Sequence, residues 1–380
     1  MTKISRYKVE YGILIPIIIF SIISIVTIFS GQSLLPSTVG NLALRQTFWF
    51  IVGFGIAYLI MTISNEYIYR YYWILYILGV ISLLFLLLFA DPINGARCWF
   101  AIPNVGTIQP SEFMKIILII TIAVIINNHN EKYSNPSVKK EFRLILKIFI
   151  VTLIPSILTF LQPDTGIVII YIVIMFVMLV VSGIRYKWFV LFFIISILFS
   201  VLFFVFFYLN STLFIDVFGA DFFYRIDRLL DWKDGVGMQL GNALTGIGSA
   251  GLIGFGFNHN PIYFPEAHTD FIFSVYAINF GFVGVFLLIS LIVFFDIKLA
   301  NMIYKSGNNT NKYVIGGIIA MIIYQQIQSI GMNVGLLPIT GITLPYISYG
   351  GSSLISYMIM TGLIFNVSNE SLRYTNKKSL

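Results

Sequence analysis

Charge is what this chain has least of. Only 10% of its 380 residues are Asp, Glu, Lys or Arg, against about 25% in a soluble globular domain. That shortage excludes an ordinary water-soluble protein. Cysteine is almost missing too: Cys98 stands alone, so no intrachain disulfide can form. There are 3 histidines, and His259 and His268 lie too far apart to make a helical metal pair. What fills the chain instead is apolar. Hydrophobic residues make up 58% and the mean hydropathy is +0.92, which places the chain in the membrane class. The 36 phenylalanines and 22 tyrosines suit lipid-facing and interfacial positions alike, so they say little about function.

A net charge of +7 would suit nucleic acid. The basic residues, however, lie in short loops between apolar runs and not on one face, so no nucleic-acid partner is expected. The amino end carries Lys3, Arg6 and Lys8 before an apolar run of roughly 20 residues. That run exceeds a signal-peptide core and no small-x-small cleavage site follows it. It reads as a retained first span.

A span needs about 20 mostly apolar residues. Ten stretches qualify, near 11–30, 46–63, 72–90, 111–127, 143–161, 165–183, 188–209, 271–295, 313–335 and 352–368. The expected fold is an all-α polytopic membrane protein, one integral domain over residues 1–380. A large outer loop, roughly 210–270, joins spans seven and eight. With a cytoplasmic amino terminus, inner segments hold 17 of the 23 Lys and Arg residues, as the positive-inside rule requires. Both termini are then cytoplasmic. Asp91, Arg97, Glu112, Lys115, Asp164, Glu266, His268 and Asp270 all fall at the outer side.

The outer segments carry the chemistry. Asn94 to Phe100 is followed by Gln109-Pro110-Ser111-Glu112-Phe113-Met114-Lys115. Pro110 and Glu112 suit the first turn of a helix, and Glu112 and Lys115 share a face at a spacing of three. The pair is either a mutual neutralisation inside the bundle or a cation held ready for an anionic group. Gln162-Pro163-Asp164-Thr165-Gly166 makes a tight turn. There Asp164 is a helix cap or a functional carboxylate, and it is placed to pair with Lys115 across the bundle. Phe222 to Trp232 reads as an amphipathic helix on the outer membrane surface. Its Arg225 and Arg228 are also within the chemistry of phosphate binding. Gly246 to Gly256 is glycine-rich, but no strand precedes it and no Gly-Lys-Ser/Thr closes it. A flexible loop or close backbone packing accounts for it better than a nucleotide loop.

The densest cluster is Tyr263-Phe264-Pro265-Glu266-Ala267-His268-Thr269-Asp270, which runs straight into Phe271-Ile272-Phe273. Charges beside a span are costly and call for a reason. In an extended segment Glu266, His268 and Asp270 would share one face. Asp270 fits two roles at once: an N-cap for the next span, and a general base whose pKa is raised by desolvation. A metal held by one carboxylate plus substrate phosphates stays open. The stretch Gly335 to Ser353 has two prolines, four glycines and no charge, yet it lies between two spans. It reads as an irregular re-entrant cavity wall, which is tolerated only inside protein.

Five stretches in this order resemble the RodA/FtsW family (the SEDS proteins: shape, elongation, division and sporulation). They are Asn94 to Trp99, Gln109 to Lys115, Gln162 to Gly166, Phe264 to Phe273 and Leu337 to Ser353. The resemblance covers nearly the whole chain and includes the ten-span count. A short amino-terminal extension and a carboxyl tail ending soon after the last span make it more like RodA than FtsW.

The resemblance implies a bacterial peptidoglycan glycosyltransferase in the cytoplasmic membrane, its active site facing outside. Such an enzyme polymerises lipid II, a disaccharide-pentapeptide on a polyprenyl pyrophosphate. It acts with a class B penicillin-binding protein, a single-span transpeptidase. Asp270 matches the family's catalytic aspartate. Arg97, Trp99, Glu112, Lys115, Asp164, His268 and Ser348 are the substrate-binding candidates. Cys98 separates Arg97 from Trp99, where the family usually has Arg-Trp. No ATP is needed, because the pyrophosphate already activates the donor; a divalent cation, Mg or Mn, is the one cofactor left open. A lipid II flippase and a scaffold for the transpeptidase are the alternatives. The flippase ranks lower because the polar groups cluster at the outer side and do not string across the membrane.

Overall fold

The computed structural model describes residues 9–36, 40–92, 97–102, 106–220, 223 and 237–378. Several of its helices start where the sequence supplies a cap or a first-turn proline. Asn41 accepts from the Leu44 amide and opens α2 (Leu42–Thr62), after α1 (Tyr11–Gly31). Ser64 caps the short α3 (Asn65–Arg70), which leads into α4 (Tyr72–Phe89). Pro110 takes the first turn of α5 (Pro110–Lys132), where its missing N–H costs nothing. Then come α6 (Val138–Leu161), α7 (Thr165–Val181), α8 (Tyr186–Leu209) and α9 (Ser211–Phe218). The chain continues as α10 (Met238–Ser249), α11 (Ile272–Lys305), α12 (Asn309–Asn333) and α13 (Gly351–Lys378).

Among the described residues, 9 helices are long and apolar enough to cross a membrane, and Thr165–Val181 is a shorter apolar one. Together they match the ten expected stretches. One short antiparallel hairpin, β1 (Phe100–Ile102) with β2 (Gly106–Ile108), interrupts the all-α expectation between α4 and α5.

The hydrophobic runs divide into interior and periphery. The apolar window of α5 is 83% buried and that of α8 is 0% buried. So α5, with α12 and α13, forms the centre, and α8 stands at the rim. Only Phe207 of α8 is buried.

The span expected from 271 differs in the structure. Gly281 has φ +62 and breaks α11. The residues from Ile272 to Asn279 are buried in protein, whereas Phe282, Val283, Phe286 and Leu287 beyond the break are exposed. The first two turns are therefore an inner helix, and the lipid-facing part begins after Gly281. The break is built by the glycine-rich stretch. Phe255 and Gly256 amides donate to the Ile278 and Asn279 carbonyls, and Phe282 and Val283 amides donate to Gly251 and Leu252. Two main chains lie against each other, so neither tolerates a side chain. A Cβ at Gly281 would meet main-chain atoms of Gly254 and Leu252, and one at Gly254 would meet Asn279. The close-packing reading of this stretch holds.

Gly281→Ala is expected to destabilise the protein by ~2 kcal/mol or more, from backbone strain plus the clash. Gly251 also has a positive φ, but open space surrounds it, and Asn tolerates that conformation. Gly251→Asn should keep the wild-type thermal midpoint in detergent. Equal midpoints for both variants would remove the packing argument.

Candidate functional site

The starts of α5, α7, α11 and α13 meet the ends of α1, α4 and α6 at one end of the bundle. Hydrogen bonds tie them together. Ser352 Oγ accepts from the Gln109 amide and donates to the Thr107 carbonyl. Gln162 Nε2 donates to the Leu83 carbonyl. The buried Cys98 Sγ donates to the Gln162 carbonyl at 2.7 Å. Cys98 thus pins the loop that carries Arg97 and Trp99 onto the α6–α7 turn. Burial, and then the charge of Asp164, push its thiol up to about 12. The thiolate is the reactive form, so Cys98 should resist alkylation by iodoacetamide in the folded protein and react after denaturation. Mass spectrometry of the two samples checks this.

One part of the site is built on α5. Lys115 Nζ lies 2.7 Å from Glu112 Oε2, with the lysine 0% and the glutamate 5% exposed. The ammonium sits 5.3 Å from the centre of the Tyr357 ring and has no other polar partner among the described residues. The expected pairing of Lys115 with Asp164 is not made: the spacing of three on one helix gives Lys115 to Glu112 instead. Asp164 caps α7 by accepting from the Ile167 amide, and it accepts from Gln109 Nε2 at 2.7 Å. Burial raises its carboxyl to about 6; Glu112 adds to the rise, while the Ile167 and Gln109 bonds and Lys115 oppose it. Arg97 is exposed, donates to the Leu87 carbonyl and forms no ion pair among the described residues. Trp99 is half-buried. Arg225 and Arg228 lie outside the described residues.

The second part is the Glu266–Asp270 loop. Residues 265–271 form consecutive turns, so the extended segment with one shared face does not occur. Glu266 has φ +54 and its carbonyl accepts from the Thr269 and Phe271 amides. Phe271, not Asp270, is the N-cap of α11, and it caps with no side chain. The Asp270 carboxyl is therefore free of the capping role. Burial, then the nearby charge of Glu266, raises it to about 7. Burial also lowers His268, whose Nδ1 is buried without a partner.

Three successive carbonyls of this loop are each held. His268 accepts from the Tyr349 amide, Thr269 from Ser348 Oγ at 2.8 Å and Asp270 from Asn333 Nδ2 at 2.8 Å. Ser348 Oγ also accepts from the Leu344 amide, so its hydroxyl clamps the loop. Gln46 supports the same segment by donating to the Ser348 carbonyl and accepting from the Gly350 amide.

The segment between α12 and α13 bridges the two parts. It is irregular and largely buried, with Ile342, Leu344, Tyr346, Ile347 and Ser348 all inside, as expected of a re-entrant wall. A Cβ on Gly341, which has φ +71, would lie 3.8 Å from Asp270 Oδ2. Thr343 Oγ1 lies 3.4 Å from the Tyr357 hydroxyl, beside Lys115. Gly166, two residues after Asp164, packs against the Thr340 carbonyl. A carboxyl poised near neutrality thus shares one wall with a buried ammonium. Such a pair suits removal of a proton at one point and stabilisation of negative charge at another. No group of three or more His, Cys, Asp or Glu forms a metal site among the described residues.

Sequence reasoning missed Asn333, Gln46, Tyr357 and Gln325. Gln325 Nε2 donates to the Tyr357 hydroxyl at 2.9 Å. The signal was there: Gln325, Ser329 and Asn333 recur every four residues on α12, a polar stripe in an apolar span.

A bundle of apolar helices with a cluster of polar side chains at one end defines a polytopic membrane protein. The FtsW/RodA/SpoVE family profile, described as a cell cycle protein, matches residues 11–373. The chain belongs to that family, the SEDS proteins. The probable peptidoglycan glycosyltransferase FtsW of Halothiobacillus neapolitanus is 32% identical over 373 residues, covering 91% of this chain and 83% of that protein. Stage V sporulation protein E of Bacillus subtilis is 33% identical over 291 residues, 73% of each chain. A chain from a peptidoglycan synthase complex superposes with a TM-score of 0.78 at 25% identity, over 96% of this chain and 99% of that one. RodA of Thermus thermophilus gives 0.67 at 25% identity, over 94% and 96%. These relatives assign the family and do not separate a RodA-like from an FtsW-like member.

Proposed function

We propose that the protein is a peptidoglycan glycosyltransferase that polymerises lipid II at the outer face of the bacterial cytoplasmic membrane, serving elongation and cell shape. The observation that carries this reading is Asp270: a carboxyl raised to about 7, released from helix capping, and joined by one wall to the Glu112–Lys115 pair. Asp270 takes the proton from the sugar 4-hydroxyl of the acceptor. The freed electron pair on that oxygen forms the new bond to the anomeric carbon of the donor chain. The bond from that carbon to the pyrophosphate oxygen breaks, its electrons leave with the polyprenyl pyrophosphate, and the carbon inverts. Negative charge grows on the leaving group, where Lys115 and Arg97 are the cations to meet it. Glu112 holds Lys115, and Asp164 with Gln109 fixes the entrance to α7. Trp99 and His268 line the substrate's path, and Ser348 keeps the base loop in place.

A divalent cation here would take at most the Asp270 and Glu266 carboxylates and complete its shell with substrate phosphates. The partner is a class B penicillin-binding protein, in keeping with the synthase complex found for a structural relative. Purified protein with its transpeptidase should convert lipid II into glycan strands. Transfer of labelled lipid II across liposomes with no glycan product would replace this reading with the flippase.

A further inference from the structure

Asp270 has an unusual setting for a reacting group. It sits two residues ahead of α11, in a turn whose helix carries no side-chain cap of its own. The amides of a helix's first turn have no partner within the helix. Here the Ser274 amide, in that first turn, donates to Asn333 Oδ1 at 3.0 Å, and Ser274 Oγ donates to the same oxygen at 2.6 Å. Asn333 is the last residue of α12 and is fully buried. Its Nδ2 donates to the Asp270 carbonyl at 2.8 Å and to the Ser329 carbonyl at 2.7 Å. The amide orientation is fixed by its partners, because an N–H can only donate and a carbonyl can only accept. Both donors and both acceptor positions of this side chain are therefore filled.

One residue thus caps α11 from another helix and holds the main chain of Asp270. The neighbouring carbonyls of His268 and Thr269 are held by Tyr349 and Ser348, so Asn333 supplies the third and last anchor. Its own place is fixed by the bond to Ser329, one turn back on α12.

The geometry points to Asn333 as the positioning residue for Asp270, setting where its carboxylate stands relative to the acceptor hydroxyl. This rests on Asp270 being the base of the proposed reaction. Asn333 bonds to the Asp270 carbonyl oxygen and not to the carboxylate. It acts through the Asp270 main chain and the first turn of α11. A displacement of about 1 Å in such a group can lower a rate about 10²-fold.

The test is lipid II polymerisation by the full chain with its transpeptidase, comparing wild type, Asn333→Leu, Asn333→Ser and Asp270→Ala. Asn333→Leu keeps the branched shape with somewhat more bulk and removes all four bonds. Asn333→Ser adds no bulk and covers the case in which the leucine variant does not fold. The expected result is a fall in kcat of about 10²-fold with an unchanged KM for lipid II. The acidic limb of the pH–kcat curve should also move to lower pH, because a loosened loop lets water reach Asp270. Among the described residues Glu266 is the charge that acts on that carboxyl, and the residues of α12 and the 341–348 segment tied to its loop, Asn333, Ser329, Gly341 and Ser348, carry none. A residue that merely stabilises the fold would lower the active fraction and leave the limb in place. Folded Asn333→Ser with wild-type kcat and an unmoved limb overturns the assignment. Wild-type polymerisation by Asp270→Ala overturns the base reading instead, whatever the Asn333 variants do.

Discussion

Lys115→Met is expected to abolish measurable polymerisation and to destabilise the protein. The lysine is fully buried and its ammonium touches Glu112. Removing one member of a buried ion pair leaves the other charge unpaired, at a cost of about 3–5 kcal/mol. The rate loss has a separate origin. An ammonium that meets a developing pyrophosphate contributes about 10²–10³-fold. The double variant Glu112→Leu/Lys115→Met separates the two effects. Replacing the whole pair by apolar side chains of similar volume removes the unpaired charge, so stability should return to near wild type. Activity should not return. Thermal unfolding in detergent and the polymerisation assay on the same preparations decide it. A double variant with wild-type activity would make the pair a structural neutralisation only.

The second large effect is on pH dependence. Burial and Glu266 raise the Asp270 carboxyl from its ordinary 3.8 to about 7. A base works only when ionised, so polymerisation should be lost as pH falls through about 7 and retained above it. Stability runs the other way. The fold holds the proton more tightly than the unfolded chain does. Ionising Asp270 therefore costs the fold stability as pH rises from the ordinary carboxylate range through about 7. Asp270→Asn, which cannot ionise, should then be inactive yet unfold at a higher temperature than wild type at alkaline pH. A wild-type acidic limb near the ordinary carboxylate pKa, with no stability gain in Asp270→Asn, would mean the carboxyl is well hydrated and not poised as a base.

How much of this was legible in the sequence follows from what each residue type announces. The ten apolar helices were readable, nine of them long enough to cross a membrane among the described residues, because about 20 apolar residues are needed wherever a helix spans lipid. The Glu112–Lys115 contact was readable from a spacing of three behind Pro110. The cap at Asp164 followed from its place before an apolar helix. The register of α11 was not readable. Ile272 to Asn279 is mostly apolar, and hydropathy cannot tell a helix buried in protein from one facing lipid. Gly281 and Gly254 carried the missing information, but their meaning depends on each other across a fold. The turns at 265–271 were equally hidden, since nothing local forces Glu266 to φ +54. Asn333 was quoted by no motif because a lone amide at a span's end has many uses. Only its four hydrogen bonds, to Ser274 of α11, to Asp270 and to Ser329 one turn back, give it a role.

The most direct measurement of the central claim is the polymerisation of lipid II by wild type and Asp270→Ala, purified side by side with the transpeptidase partner. General base catalysis contributes about 10²–10⁴-fold. Glycan strands should form with wild type and fall by that factor or more with the variant, while lipid II binding persists. Full-length glycan made by Asp270→Ala at the wild-type rate would contradict the account.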